Sequence, residues 1–200
     1  MSGRKTINDF LSEDLIDITH LLTLALGQKK EQLYTDSNYE LTNKELKRLD
    51  ELIQQRQQGK PFAYLSGSQG FYHLDFKVSP ATLIPRPETE LLIDIAIDLF
   101  KPNQLIDVID LGTGSGVIAI TLADKCPSWR ISATDKSKEA LKIAKKNTTK
   151  NINFLNGLAL QNFRPMNEEF LPAIKIREMN GGISDIWRTR TRHRKKTDIH

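Results

Sequence analysis

Asp110-Leu111-Gly112-Thr113-Gly114-Ser115-Gly116 closes an apolar run, Leu105 to Leu111, and opens a helix-length stretch, Val117 to Lys125. A strand that turns through small residues into a helix can bend sharply and bring its backbone close to a ligand. The alternation continues beyond it. Ile131 to Thr134 reads as a second strand, Lys138 to Asn147 as a second helix and Ile152 to Leu155 as a third strand. That order predicts a parallel sheet with right-handed crossovers, hence an α/β fold. Open parallel sheets bind their ligands at the carboxyl ends of the strands, where this turn lies.

Spacing narrows the ligand. Asp135 follows the second strand, 23 residues after Gly112. An acid there can accept hydrogen bonds from both hydroxyls of a ribose. A dinucleotide fingerprint needs its third glycine three positions after the second, which here is Val117; the glycine comes earlier, at Gly116. Ser115 has glycine on both sides, so the Gly-x-Ser-x-Gly elbow of a hydrolase does not fit either. The competing reading is an ordinary strand-to-helix turn without a ligand. The histidines His20, His73, His193 and His200 form no metal-ligand spacing with one another or with Cys126, so no metal site is expected.

The region before the sheet is of another kind. Leu11, Leu15, Ile18, Leu22 and Ala25 recur at helical spacing and predict one helix face, with Gly27 as its stop. A shorter helix is expected over Lys29 to Tyr34. Thr42-Asn43-Lys44-Glu45 has the form of a capping box ahead of the stripe Leu46, Leu49, Leu52 and Ile53, which Gly59 and Pro61 end. Phe71 to Val78 predicts a short hairpin, and Pro85 to Glu90 the start of a further helix reaching Phe100.

The 200 residues are 38% hydrophobic, with no apolar window of roughly 18 residues, so a soluble chain without a membrane span is expected. A single cysteine and an amino terminus unlike a secretory signal point to a reducing, cytoplasmic setting. The net charge of +4 hints at a nucleic-acid partner, but its distribution argues against one. Residues 171–200 hold eight Lys/Arg against three Asp/Glu, and the remaining 170 hold 21 against 22.

Asp-x-Gly-x-Gly-x-Gly with a later Asp resembles the cofactor site of class I S-adenosylmethionine-dependent methyltransferases. Leu83-Ile84-Pro85-Arg86-Pro87-Glu88-Thr89-Glu90, about twenty residues upstream, resembles the HemK/PrmC family of protein-glutamine methyltransferases. These modify the glutamine of the Gly-Gly-Gln motif in peptide chain release factors. A sister family acting on a large-subunit ribosomal protein departs from the Arg-Pro-Glu-Thr-Glu pattern.

The resemblance, over roughly residues 10–160, implies an N-terminal helical bundle plus an incomplete class I methyltransferase (Rossmann-like) domain. Residues 1–62 would be a helical substrate-docking domain, 63–87 a hairpin linker, 88–162 a partial methyltransferase domain and 163–200 an atypical basic tail. The cofactor would be S-adenosylmethionine, lined by Gly112, Thr113, Gly114, Ser115 and Gly116, with Asp135 on its ribose. The partner would be a release factor. Arg86 and Glu88 either border the active site or anchor the helix start.

Two departures stand beside this. The family's Asn-Pro-Pro-Tyr motif is absent: the eight prolines include no adjacent pair. After the third strand, Asn156-Gly157-Leu158-Ala159-Leu160 lacks the family's acid and aromatic. A truncated or frameshifted chain is therefore expected, with pattern lost after about residue 160. The alternatives are a catalytically inactive remnant, or a polyanion-binding module using the basic stretch Arg188 to Lys196.

Overall fold

The computed structural model describes residues 5–152 and the backbone of residues 162–165. The chain begins with short helices. Helix α1 (Ile7–Leu11) starts at a capping box in which Thr6 and Asp9 bond each other's backbone amides. Helix α2 (Ile18–Leu26) ends at Gly27, and α3 (Lys30–Thr35) follows. Helix α4 (Asn43–Gln57) opens on the expected box, with Thr42 accepting from the Glu45 amide and Glu45 from the Thr42 amide. Ile7, Phe10, Leu21, Leu22, Leu33, Leu41 and Leu49 bury themselves together as the core of this region.

The single helix face expected from Leu11 to Ala25 is two helices instead. The chain leaves the helix at Ser12 and re-enters it after Asp17, whose φ is +61°. Arg56 of α4 holds that turn through a 2.7 Å ion pair to the Asp17 carboxylate. Leu11 and Leu15 still pack on the common core, so their spacing survives although the helix between them does not.

Helix α5 (Phe62–Ser66) leads into a hairpin of β1 (Ser68–Phe71) and β2 (Leu74–Lys77), paired antiparallel from Ser68↔Lys77 to Phe71↔Leu74. The first strand lies earlier than the aromatic run suggested, because Tyr72 and His73 make the turn. Tyr72 takes φ +55° there, and its amide donates to Glu90 at 2.7 Å. A 3₁₀ turn, Pro87–Thr89, precedes α6 (Glu90–Leu99).

Strand β3 (Asp107–Leu111), helix α7 (Val117–Lys125), strand β4 (Arg130–Asp135) and helix α8 (Lys138–Asn151) give the alternation read from sequence. The third strand of the sheet is β5 (Asn162–Pro165), parallel to β4 with Asp135↔Pro165 in register. Ile152 lies outside any strand, and residues 153–155 of the expected strand fall outside the described residues. Strand order is β3-β4-β5. A second core joins Phe71 and Phe76 of the hairpin to Ile93, Ala119, Ile120, Leu122, Ala123, Trp129, Ile131 and Ala133. Trp129 is fully buried and its indole N–H is satisfied by the Lys101 carbonyl at 3.2 Å.

Among the described residues β3 is an edge strand, and Ile109 and Leu111 stay 43% and 50% exposed. Leu91, Leu92, Ile95 and Leu99 of α6 are exposed as well. No helix among the described residues is long and apolar enough to cross a membrane.

Candidate functional site

Parallel pairing brings the ends of β3 and β4 to the same edge, with Leu111 opposite Thr134. The ladder then runs on into the turn. The amides of Gly112 and Thr113 both donate to the Thr134 carbonyl, at 2.9 and 2.8 Å. This curls the turn over the end of β4. The Gly114 amide then meets the Asp135 carboxylate at 2.8 Å. The other Asp135 oxygen accepts from the Ser137 amide, also at 2.8 Å, ahead of α8. Two residues distant in sequence are thus joined by a backbone amide and a side-chain carboxylate.

The three glycines have different surroundings. At Gly114, φ is +57° and a Cβ would meet nothing within 4 Å, so the space beside the turn is open. Gly112 is exposed and also has nothing near it. Gly116 is buried at the start of α7 with φ +88°, and a Cβ there would lie 2.8 Å from Ile120 Cδ1 and 3.3 Å from Ala144 Cβ. The first two face open space, whereas the third lets α7 approach α8. Thr113 and Ser115, between them, are buried, so they offer an open side only their backbone.

Asp110 lies beneath the turn. Its carboxylate accepts the Thr113 hydroxyl at 2.7 Å and the amide of Ala119 in the first turn of α7. Burial pushes its pKa up, with a smaller push from the Asp135 charge; the two hydrogen bonds pull the other way and do not cancel it. Asp110 is therefore a structural acid that fixes the turn from below, while Asp135 stands beside the opening. Asp135 has two oxygens and about four acceptor sites, of which the Gly114 and Ser137 amides use two. Acceptor capacity for a pair of hydroxyls remains.

Arg86 and Glu88 are exposed at the entry to α6, where the Arg86 carbonyl accepts from the Thr89 amide. Glu90 makes the contact that ties this segment to the hairpin, through the Tyr72 amide. Tyr64 of α5 donates to the Thr82 carbonyl at 2.8 Å and fixes the segment that leads to Arg86.

One residue of consequence was not singled out from sequence. Asn147 is fully buried in α8 and bonds both the hairpin and the glycine turn. The signal was present, since Ala140, Leu141 and Ala144 set an apolar helical face that Asn147 continues with an amide.

Known proteins resemble this chain in sequence. A family model described as the PrmC N-terminal domain matches residues 4–67, and one described as a methyltransferase small domain matches residues 89–164. The release factor glutamine methyltransferase of Koribacter versatilis is 46% identical over 130 residues, covering 65% of this chain and 46% of that protein. That of Coxiella burnetii is 38% identical over 146 residues, covering 71% and 53%. That of Escherichia coli is 38% identical over 158 residues, covering 79% and 54%. The chain spans about half the length of the curated relatives it matches.

Proposed function

The chain belongs to the HemK/PrmC family, and from that premise we propose that it serves S-adenosylmethionine-dependent methylation of the glutamine side-chain amide in the Gly-Gly-Gln motif of a peptide chain release factor. The observation that carries this reading is the open glycine turn held against Asp135 by the 2.8 Å bond from Gly114. Relatives that it matches are named release factor glutamine methyltransferase, which supports the reading. The cytoplasm, where release factors act, is the compartment this reading requires.

The residues present fit the cofactor. The space beside Gly112 and Gly114 is open, and the Asp135 carboxylate keeps acceptor sites free. Asp135 takes the ribose hydroxyls, and the backbone of Gly112 through Gly116 borders the methionine part. When bound, S-adenosylmethionine supplies a methyl group on a sulfonium sulfur. Asp110 and Thr113 keep the turn in one conformation, so the ligand does not have to order it on binding. The helical region, residues 1–62, docks the release factor; residues 63–87 link it to the methyltransferase part, which starts at residue 88 and takes in β5 (Asn162–Pro165) as its third strand.

A glutamine amide nitrogen is a weak nucleophile, and its methylation depends on orientation. Asn-Pro-Pro-Tyr occurs nowhere in the 200 residues, so no residue here is assigned to aiming the acceptor amide. The test is transfer of a labelled methyl group from S-adenosylmethionine to a release factor bearing Gly-Gly-Gln. Label on that glutamine, lost when the glutamine is replaced by alanine, is expected. A chain that binds the cofactor but leaves the factor unlabelled would refute the proposed activity.

A further inference from the structure

Asn147 makes three hydrogen bonds from a fully buried side chain. Its Oδ1 accepts from the Lys77 amide at 2.7 Å, and its Nδ2 donates to the Lys77 carbonyl at 2.9 Å. The second Nδ2 hydrogen goes to the Ser115 carbonyl, inside the glycine turn, at 2.8 Å. A carboxamide has two donors and an acceptor in one plane, and both donors and that acceptor are engaged here. It therefore closes the end of β2 and fixes one peptide of the turn at once.

Its neighbours on α8 hold only the hairpin. Lys150 pairs with the Asp75 carboxylate, and Asn151 donates to the Asp75 carbonyl at 3.1 Å. Asn147 alone among these three also reaches the turn. The amides of Gly112, Thr113, Gly114 and Gly116 are bonded to Thr134, Asp135 and Thr113, so the turn's amides are secured towards β4 and within itself. The Ser115 carbonyl is secured from the opposite side, by α8.

We infer that Asn147 is a positioning residue for the glycine turn, joining its Ser115 carbonyl to the Lys77 backbone so that turn and hairpin hold one geometry. The inference deepens the proposed cofactor site and rests on it only for the ligand. Loss of the amide leaves the Ser115 carbonyl without its buried partner and both Lys77 backbone groups without their partly buried one, which loosens the turn locally.

The experiment measures amide hydrogen exchange across the full chain by mass spectrometry, in the unaltered protein and in Asn147→Ala, Asn147→Asp, Asn151→Ala and Leu141→Ala. Asn147→Asp keeps the side chain's size and its acceptor while removing both donors. Asn151→Ala cuts a hairpin bond without touching the turn, and Leu141→Ala weakens the same helix by packing loss alone. Both Asn147 variants are expected to speed exchange over residues 112–116 about tenfold beyond any change in global unfolding, as loss of roughly one net hydrogen bond implies. Asn151→Ala and Leu141→Ala leave those amides tracking global stability.

Calorimetry with S-adenosylmethionine is run beside it. The same variants are expected to lose about tenfold in affinity, while Leu141→Ala at equal stability does not. If the unaltered chain takes up no S-adenosylmethionine yet exchange in the turn still responds to Asn147, the ligand assignment fails and the positioning role stands. If exchange over 112–116 in the Asn147 variants follows global stability as in Leu141→Ala, the positioning role is overturned. Should both Asn147 variants fail to fold, the unaltered protein decides: a shift of the Asn147 side-chain amide resonance on titration with S-adenosylmethionine, with Asn151 still, supports the role, and no shift on saturation overturns it.

Discussion

Gly116→Ala isolates the reason for the third glycine. Its backbone has φ +88°, and a new Cβ would stand 2.8 Å from Ile120 Cδ1, 3.3 Å from Ala144 Cβ and 3.5 Å from Ala144 Cα. The left-handed backbone costs an alanine about 1–2 kcal/mol. Overpacking adds about 1–3 kcal/mol, because Ile120 can swing away but the Ala144 backbone cannot. The sum, roughly 2–5 kcal/mol, is a large share of the about 5–15 kcal/mol that holds a domain of this size together. At about 2–4 °C per kcal/mol, melting is expected to fall by roughly 5–20 °C. Gly114→Ala is the control, since φ is +57° there but no atom lies within 4 Å; only the backbone cost of about 1–2 kcal/mol applies. In an Ile120→Val background the 2.8 Å contact is gone, and Gly116→Ala is expected to cost about 1 kcal/mol less. Thermal and urea melts of the four variants read this directly. Equal losses for Gly114→Ala and Gly116→Ala, or no coupling to Ile120, would refute the packing account.

Other expectations follow from single contacts. Thr42→Ala removes the cap of α4 and is expected to cost about 1 kcal/mol in a urea melt, whereas Thr42→Asp costs far less because its carboxylate can still accept. The Tyr72 phenol, bonded to Asp94 and beside Glu90, is held up to about 12. A raised pKa favours the neutral phenol, so the phenol's contribution to the hairpin's hold on α6 is full below pH 10 and is lost as pH climbs through about 12, while the Tyr72 amide bond to Glu90 stays. Ultraviolet titration of Asp94→Asn should show one tyrosine ionising at lower pH. Leu92 and Leu99 are 55% and 69% exposed, so Leu92→Lys with Leu99→Lys should leave stability within about 1 kcal/mol while lowering binding of an apolar fluorescent dye.

The strand-turn-helix at 107–125 was legible because each level agreed: an apolar run, small residues at the turn and a helical period after it. Thr42 with Glu45 was legible for the same reason, since a capping box is a local device whose partners lie three residues apart. The break between α1 and α2 was not, because Leu11 and Leu15 both pack on the common core although the chain leaves the helix at Ser12 and re-enters it only after Asp17. The ion pair that holds the turn at Asp17 comes from Arg56, some forty residues away, and is not visible in the local spacing. Strand β5 was hidden too: Asn-Phe-Arg-Pro carries no strand-like apolar run, and only its pairing with β4 reveals it. At the site, sequence placed Gly114 and Asp135 in the same proposal, and parallel register is what puts them 2.8 Å apart. Sequence could not separate the packing glycine, Gly116, from the two that face open space, since that difference belongs to α8. Asn147 was overlooked because an amide on a lysine-rich helix reads as surface until its three partners are seen.

The most direct measurement is isothermal calorimetry of the full chain with S-adenosylmethionine, beside Asp135→Ala and Asp135→Asn. The expected result is one saturable site in the unaltered protein, lost in Asp135→Ala and weakened by Asp135→Asn, with S-adenosylhomocysteine competing. A folded chain that binds no S-adenosylmethionine, or binds it as well without the Asp135 carboxylate, would contradict the assignment of the turn and Asp135 as the cofactor site.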